Sequence, residues 1–323
     1  VTAPALTFRA LYGLSRGTQA ALSVAQPLLA MVAAAAAAGP PPAGRLLAAL
    51  LAAFAGYAAV FAANDLIDAR VDRADAERRR AAAPAPAATA PPAAGGFDID
   101  GAGTRHPIAT GRLPYGVAVA WVVLLSGTAL TLAARIDAVC AVLFLAAALL
   151  EAGYCALARV TPYKTLLSGL MVAVGAAAGW FVVTRQPDWP LLVLFCVWMA
   201  AWEIGGRNVP NDWADVDDDR PLGIRTVPVV HGPRAAGAVV VVCLTVTSGA
   251  GVALFAACAP AIGPAAPAGA AVAGAWALLW PATRLLRAPG PDTALALFNR
   301  ASLYPALVLF CALVGALTGG RAA

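Results

Sequence analysis

Two nine-residue stretches are dense in side-chain oxygen: Asn64-Asp65-Leu66-Ile67-Asp68-Ala69-Arg70-Val71-Asp72 and Asn211-Asp212-Trp213-Ala214-Asp215-Val216-Asp217-Asp218-Asp219. Residues four apart share one face of an α-helix, so Asn64, Asp68 and Asp72 make one stripe of ligands and Asn211, Asp215 and Asp219 another. Stacked carboxylates repel one another, and beside hydrocarbon each costs about 3 kcal/mol unless it is neutralised. A cation between the stripes removes that penalty. Mg²⁺ suits the position, since it takes carboxylate oxygens, keeps several waters and is commonly completed by a substrate phosphate. One such cluster could equally be a solvated helix end or a loop cap. The repeated N-D-x-x-D-x-x-x-D spacing, each time at the end of a long apolar stretch, points to metal-assisted chemistry on a phosphorylated substrate.

The elements that must position these stripes are membrane helices. Hydrophobic residues make up 61% of the chain and charged residues 12%, against about 45–50% and about 25% in soluble domains. Windows of about 20 apolar residues place nine spans near 18–38, 44–66, 114–134, 137–157, 166–185, 190–210, 235–258, 269–286 and 294–318. The expected fold is therefore all-α: a polytopic membrane protein, one transmembrane domain over residues 1–323, with a low-complexity Pro/Ala/Gly-rich loop at 73–105. Four spans separate the two motifs, so both helices should end on the same side, as in a parallel internal repeat with the site where the halves meet. Arg9, Arg16, the arginines between Arg70 and Arg112, Arg159, Lys164, Arg207, Arg220, Arg225, Arg234, Arg284 and Arg287 fall on that side, and only Arg45, Arg135, Arg185 and Arg321 on the other. The positive-inside rule then turns both motifs toward the cytoplasm. The net charge of +5 is explained by basic loops beside anionic lipid and calls for no nucleic acid. The stretch from Arg9 to Ala38 has some features of a signal peptide, but its length and the spans that follow predict a retained first helix. The six cysteines lie in apolar stretches without C-x-x-C spacing and read as small core or lipid-facing residues.

Other residues are placed by this frame. Arg16, ahead of the first span, is either a positive-inside anchor or a phosphate ligand. Span two is poor in large side chains, which suits close helix packing. Span four ends in Glu151 and Tyr154, followed by a short loop with Arg159 and Lys164. Trp202, Glu203, Arg207 and Asn208 put so many polar groups into the end of span six that they should line a cavity. The loop from Arg220 to Pro228 carries cations, Arg225 among them, that could close over an anion. His106 and His231 read as structural loop residues, and Asn299, Arg300 and Ser302 as interhelical hydrogen-bonding groups.

Taken together, these residues resemble the UbiA superfamily of intramembrane prenyltransferases. Asn64-x-x-x-Asp68-x-x-x-Asp72 is similar to its first Asp-rich motif and Asp215-x-x-x-Asp219 to its second. His106-Pro107-Ile108 is similar to the family's Arg-Pro-Leu/Ile loop, Tyr154 with Arg159 and Thr161 to its Tyr…Lys-Arg-x-Thr segment, and Gly223-Ile224-Arg225-Thr226 to its Gly-Ile/Lys-x-Thr stretch. His106 stands where the family usually has Arg, and Ala158 where a Lys is common. The resemblance implies a Mg²⁺-dependent transfer of a prenyl group from a prenyl diphosphate to a hydrophobic or aromatic acceptor inside a bacterial cytoplasmic membrane. It implies metal contacts from Asn64, Asp68, Asp72, Asp215 and Asp219, diphosphate contacts from Asn64, Arg16, Tyr154, Asn211 and Arg225, and charge stabilisation by Arg159 and Lys164. A terpene cyclase would use the same ionisation, and a membrane ion or anion transporter is the reading from a different class. The transporter would place ionisable residues at span centres, where this chain has mostly Ala, Val and Leu.

Overall fold

The computed structural model describes residues 3–82 and 106–319, and within these the side chains of residues 3–7, 68, 70–82 and 319 lie outside the description. The described residues form helices joined by turns. In lipid every backbone N–H and C=O must find a partner inside its own segment, which only a helix supplies for a single strand of chain. Among the described residues nine helices are long and apolar enough to span a membrane: Gly17–Ala38, Ala43–Ile67, Tyr115–Ile136, Ala138–Ala156, Lys164–Val183, Trp189–Ala214, Val227–Ile262, Ala265–Arg287 and Pro291–Thr318, called spans one to nine below. They coincide with the expected windows to within a few residues; at span seven the stretch ahead of the non-helical Gly232 (φ 77°, ψ 176°) is a separate short helical piece, and the main helix beyond it starts close to the expected 235. The helix of span two does not stop at its motif but runs on to Ala82, into the stretch expected to be loop, because Ala, Glu and Arg there are good helix formers. The rest of that loop, residues 83–105, lies outside the described residues.

Span one is two helices, Gly17–Ser23 and Ala25–Ala38. Pro27 has no N–H to give the Ser23 carbonyl, which accounts for the break at Val24. Spans two to nine each pack on the next in chain order, span nine returns against span one, and span one also lies against span five. Gly179 makes that last contact possible: a Cβ there would sit 2.0 Å from the Pro27 carbonyl oxygen. Gly179→Ala must push two backbones apart and should destabilise the protein by about 1–3 kcal/mol. Thermal unfolding in detergent reads this against Gly127→Ala, whose added methyl meets nothing within 4 Å. Equal melting temperatures for the two variants would refute the close packing.

The end of the bundle away from the motifs is tied by charge. Arg45 donates to the carbonyls of Ile136 (3.2 Å) and Phe181 (3.4 Å), linking spans two, three and five. Asp137 caps the helix of span four by accepting from Val139 N–H (2.9 Å) and also pairs with Arg185. That backbone N–H and the guanidinium hold the Asp137 carboxyl below the usual carboxylate range. The arrangement does not confirm the parallel repeat expected from the two motifs.

Candidate active site

The polar residues gather at the motif end, in a pocket of about 550 Å³ lined from spans two, four, five, six and nine together with Arg16. Span six shapes it. Its α-helix Trp189–Trp202 widens into a π-helical turn, Glu203–Asn208, before α-helix resumes at Val209–Ala214. Pro210 crowds the Gly206 carbonyl and offers it no N–H, and a wider turn relieves that conflict. Close packing behind the turn fixes the direction of the bulge: a Cβ on Gly205 would lie 2.4 Å from Cys243 of span seven, and one on Gly206 would lie 3.1 Å from Ala301 of span nine. The turn therefore bulges toward the pocket, and Glu203, Arg207, Asn208 and Asn211 all line it. The cavity-lining role expected for the end of span six holds.

Buried polar contacts organise the walls. Tyr154 accepts from Lys164 (2.9 Å) and from the Asn208 amide (3.0 Å), and Lys164 lies 3.7 Å from Asp212. Lys164 and Asp212 are both buried, and the second oxygen of Asp212 has no hydrogen-bond partner among the described residues. Glu203 accepts from Ser168 (3.0 Å) and stands 3.9 Å from Arg207 Nε. The Arg207 guanidinium lies over two rings, 5.5 Å from the Trp202 centroid and 5.4 Å from Phe298. Arg16 adopts a left-handed backbone (φ 42°) at the start of span one, lines the pocket and lies over Phe61 at 5.8 Å. Cys155 donates weakly to Asn64 Oδ1 (3.3 Å) and reaches Glu151 (3.8 Å). It thus sits among polar residues, whereas its sequence context predicts an apolar setting.

A second space of about 860 Å³ adjoins the first. Val60 and Met171 belong to both walls. Its lining comes from spans one to five and is almost wholly apolar, including Ala49, Ala52, Ala53 and Gly56 of span two. The small side chains of span two, expected to serve close packing, here leave room. One polar group enters it, the Tyr57 hydroxyl, which donates to the buried Gln26 (2.6 Å).

The second motif is only partly the single column expected. Asn211 donates to Asp215 (3.3 Å), as the four-residue spacing requires, but the helix breaks at Asp215 (φ −96°, ψ 10°) and restarts as Val216–Leu222. Asp215 is exposed, Asp219 half-buried. Partial burial, reinforced by the charges of Asp212 and Asp215, holds the Asp219 carboxyl up at about 7. A carboxyl held up by burial and by neighbouring acids marks a site short of positive charge. At the first motif, Asn64 lines the pocket, while the side chains of Asp68 and Asp72 lie outside the described residues. Among the described residues no three His, Cys, Asp or Glu side chains converge as a metal cage.

Several expectations need correction. His106 is more than a loop residue: its Nδ1 lies 3.3 Å from buried Asp65, and its turn packs Ile108 and Leu113 with Leu14, Ala62 and Ala69 beside the first motif. His231 ends the short helical stretch 227–231 ahead of the non-helical Gly232 (φ 77°, ψ 176°) and the main helix of span seven, and its ring lies tilted beside Tyr163, with centroids 5.8 Å apart. Ser302 bonds within its own helix, to the Phe298 carbonyl, and Arg300 lies over Trp276, so neither makes the interhelical hydrogen bond expected. Arg159 and Arg225 have exposed side chains; their loops are joined by Arg225 N–H donating to the Ala158 carbonyl (2.8 Å).

Comparison with known proteins decides what this geometry belongs to. The profile of the UbiA prenyltransferase family matches residues 24–304. The chain is a UbiA protein. A UbiA homologue from Aeropyrum pernix K1, in its apo form, is similar over 91% of this chain and 97% of its own, with TM-score 0.69 and 16% identity. One from Archaeoglobus fulgidus, bound to GPP and Mg²⁺, covers 94% of this chain and 99% of its own, with TM-score 0.65 and 15% identity. A digeranylgeranylglyceryl phosphate synthase covers 96% and 99%, with TM-score 0.65 and 15% identity. No curated protein sequence matches the chain. In this UbiA chain Asn64, Tyr154, Asn211 and Arg16 line one pocket, as the resemblance implies, with Lys164 hydrogen-bonded to its wall. Sequence reasoning gave no role to Glu151, Ser168 or Asp212, although buried Glu151 and Ser168 line the same pocket. The signal available was their polarity inside otherwise apolar spans.

Proposed function

We propose that this UbiA protein transfers a prenyl group from a prenyl diphosphate to an acceptor, with the diphosphate at the motif end and the prenyl tail in the apolar space. The observation that carries this reading is that the two spaces adjoin at Val60 and Met171, which belong to both walls: a polar, charged chamber lies beside one lined mainly by Ala, Gly and Val. Such a pair of spaces suits a ligand with one anionic end and one hydrocarbon end. Lys164, buried and hydrogen-bonded to Tyr154, and Arg16 supply positive charge to the departing diphosphate, with Arg159 and Arg225 on the loops above. When the C1–O bond breaks, its electron pair leaves with the diphosphate; the acceptor then forms its bond to C1 and gives up a proton. The apolar walls keep water from the allylic cation meanwhile.

The donor set fits Mg²⁺. Asn64, Asp68, Asp72, Asp215 and Asp219 would hold it, and the buried Asp212 oxygen without a partner among the described residues, together with the raised carboxyl of Asp219, supports a site that favours a cation. When bound, Mg²⁺ neutralises charge developing on the diphosphate. We read the motif end as cytoplasmic, in a bacterial cytoplasmic membrane, from the arginine bias of its loops, and residues 1–323 as one domain.

If carboxylates and diphosphate share the metal, each ligand must raise the other's affinity by the same factor. Calorimetric titration of Mg²⁺ with and without a non-hydrolysable prenyl diphosphate analogue should show tighter binding in its presence. Equal affinity in both would remove the prenyl diphosphate reading. The mass of the product formed with and without candidate acceptors separates transfer from cyclisation.

A further inference from the structure

The outward face of spans eight and nine carries a cluster of side chains that neither space uses. Span eight has a π-helical turn of its own, Gly274–Leu279, followed at two residues by Pro281, as Pro210 follows the turn of span six. Such turns gather at functional positions, yet no residue of this one lines the polar pocket or the apolar space. What it displays lies on the outside: Trp276 is 49% exposed, and Trp280, four residues on, is 58% exposed. Arg284 and Arg287 continue the exposed stripe to the end of the span. On span nine the residues at helical spacing on the outward side, Ala296, Leu303, Leu307 and Phe310, are apolar, and Arg300 interrupts them.

Arg300 is out of place there. It stands nine residues beyond the start of the helix Pro291–Gly319, about 13 Å from its motif end at 1.5 Å per residue. A helix of that length measures about 43 Å against a hydrocarbon core of about 30 Å, so centring one on the other puts the Arg300 Cα about 7 Å below the edge of the core. The side chain is half-buried, its guanidinium lies over Trp276 at 5.1 Å, and it has no hydrogen bond or ion pair among the described residues. A guanidinium at that depth is costly without an anion. A second copy of the chain has none to give at this level. Among the described residues the acids inside the spans, Asp65, Glu151, Glu203 and Asp212, are buried, and the others stand at span ends or in turns.

A lipid headgroup can supply the anion, because an arginine reaches the edge of the core by extending along its own helix. Side chains tilt toward the N-terminus of the helix that carries them. Span nine starts at the motif end and span eight finishes there, so Arg300 leans toward the headgroups while Arg284 leans from them into the core. We infer that this face binds an anionic phospholipid of the leaflet at the motif end, its phosphate held by Arg300 and Arg284 and its acyl chain lying along Trp276 and Leu303. The guanidinium fork matches the paired oxygens of a phosphate, and the two tryptophans suit the level where hydrocarbon meets headgroup. Arg284, Arg287 and Arg300 outnumber Asp292, the one acid in the first turn of span nine. The face therefore favours a lipid of net negative charge over a zwitterionic one.

The test is a thermal-shift titration of the protein in an uncharged detergent, with phosphatidylglycerol or with phosphatidylcholine of the same acyl chains, on wild type, Arg300→Leu, Arg300→Lys and Arg135→Leu. Arg135 is an exposed arginine at the other end of the bundle, so its loss changes net charge equally and leaves this face intact. Phosphatidylglycerol should bind wild type at least about tenfold more tightly than phosphatidylcholine, the scale of a charge-assisted hydrogen bond. Arg300→Leu should lose most of that preference, Arg300→Lys should keep part of it, and Arg135→Leu should keep all of it. Leucine suits a lipid-facing position, and the wild-type comparison needs no variant to fold. Equal affinity of wild type for the two lipids overturns the site. A preference that Arg300→Leu retains in full, or that Arg135→Leu reduces as much as Arg300→Leu does, overturns it as well, the latter as diffuse attraction to net charge. Light scattering on the same preparations addresses the other occupant: a wild-type dimer that Arg300→Leu converts to monomer whichever lipid is present would give this face to a second copy and refute the lipid site.

Discussion

Asp215→Ala is expected to lower prenyl transfer by about 10³-fold, the scale on which losing one group aimed at developing charge reduces turnover, while leaving the folded protein as stable as wild type. The two halves of this expectation have separate causes. Asp215 is exposed, hydrogen-bonds Asn211, and adds to the negative field that raises Asp219. Removing an exposed acid from a crowd of acids relieves repulsion, so stability should change by no more than about 0.5 kcal/mol. On the proposed metal-binding role of Asp215, the same removal takes away a hard oxygen ligand, and affinity for Mg²⁺ should fall with turnover. Steady-state kinetics, calorimetric Mg²⁺ titration and a melting curve on one preparation test all three. Near wild-type turnover would show that the second motif is not the metal site.

Lys164→Met should be damaging in both respects. Lys164 is buried, its ammonium donates to Tyr154 and it is the cation nearest the buried Asp212. Taking one partner from a buried pair leaves the other charge uncompensated, at about 3–5 kcal/mol. Pairing the change with Asp212→Asn removes the stranded charge, so the double variant should recover most of the lost melting temperature. Turnover should stay low in both variants, since neither restores a cation near the diphosphate. A double variant no more stable than Lys164→Met would mean that the pair contributes little to the fold. Recovery of activity in the double variant would mean that Lys164 serves only to neutralise Asp212.

Much of this protein is set by chemistry that acts locally along the chain. A membrane helix satisfies its own backbone, so a run of about 20 apolar residues is enough to place it, and each of the nine windows overlaps a span of the fold along most of its length. The motifs were legible for a related reason, since carboxylates beside hydrocarbon are too costly to keep without a purpose. Polarity out of place likewise marked the end of span six as cavity-lining.

Contacts between helices are a different matter, because side chains that meet across the bundle leave no periodic trace in either segment. Composition gives the alanines of span two as packing residues; only the positions of spans three to five show that they leave an apolar space beside the site. Cys155 is apolar in its sequence context and polar in its neighbours. Span six shows the distinction within one segment. Glu203, Arg207 and Asn208 could be placed in a cavity from sequence, but a regular helix would not let Glu203 and Asn208, five residues apart, share a wall as they do here. The widened turn depends on Pro210 in the chain and on Cys243 and Ala301 pressing against Gly205 and Gly206 from two other spans. The sequence by itself determined the nine helices and the oxygen-rich motifs, because backbone satisfaction and the cost of charge in lipid are properties of each segment alone. Which residues face one another around the pocket was decided by tertiary structure, because that depends on how closely neighbouring helices can approach.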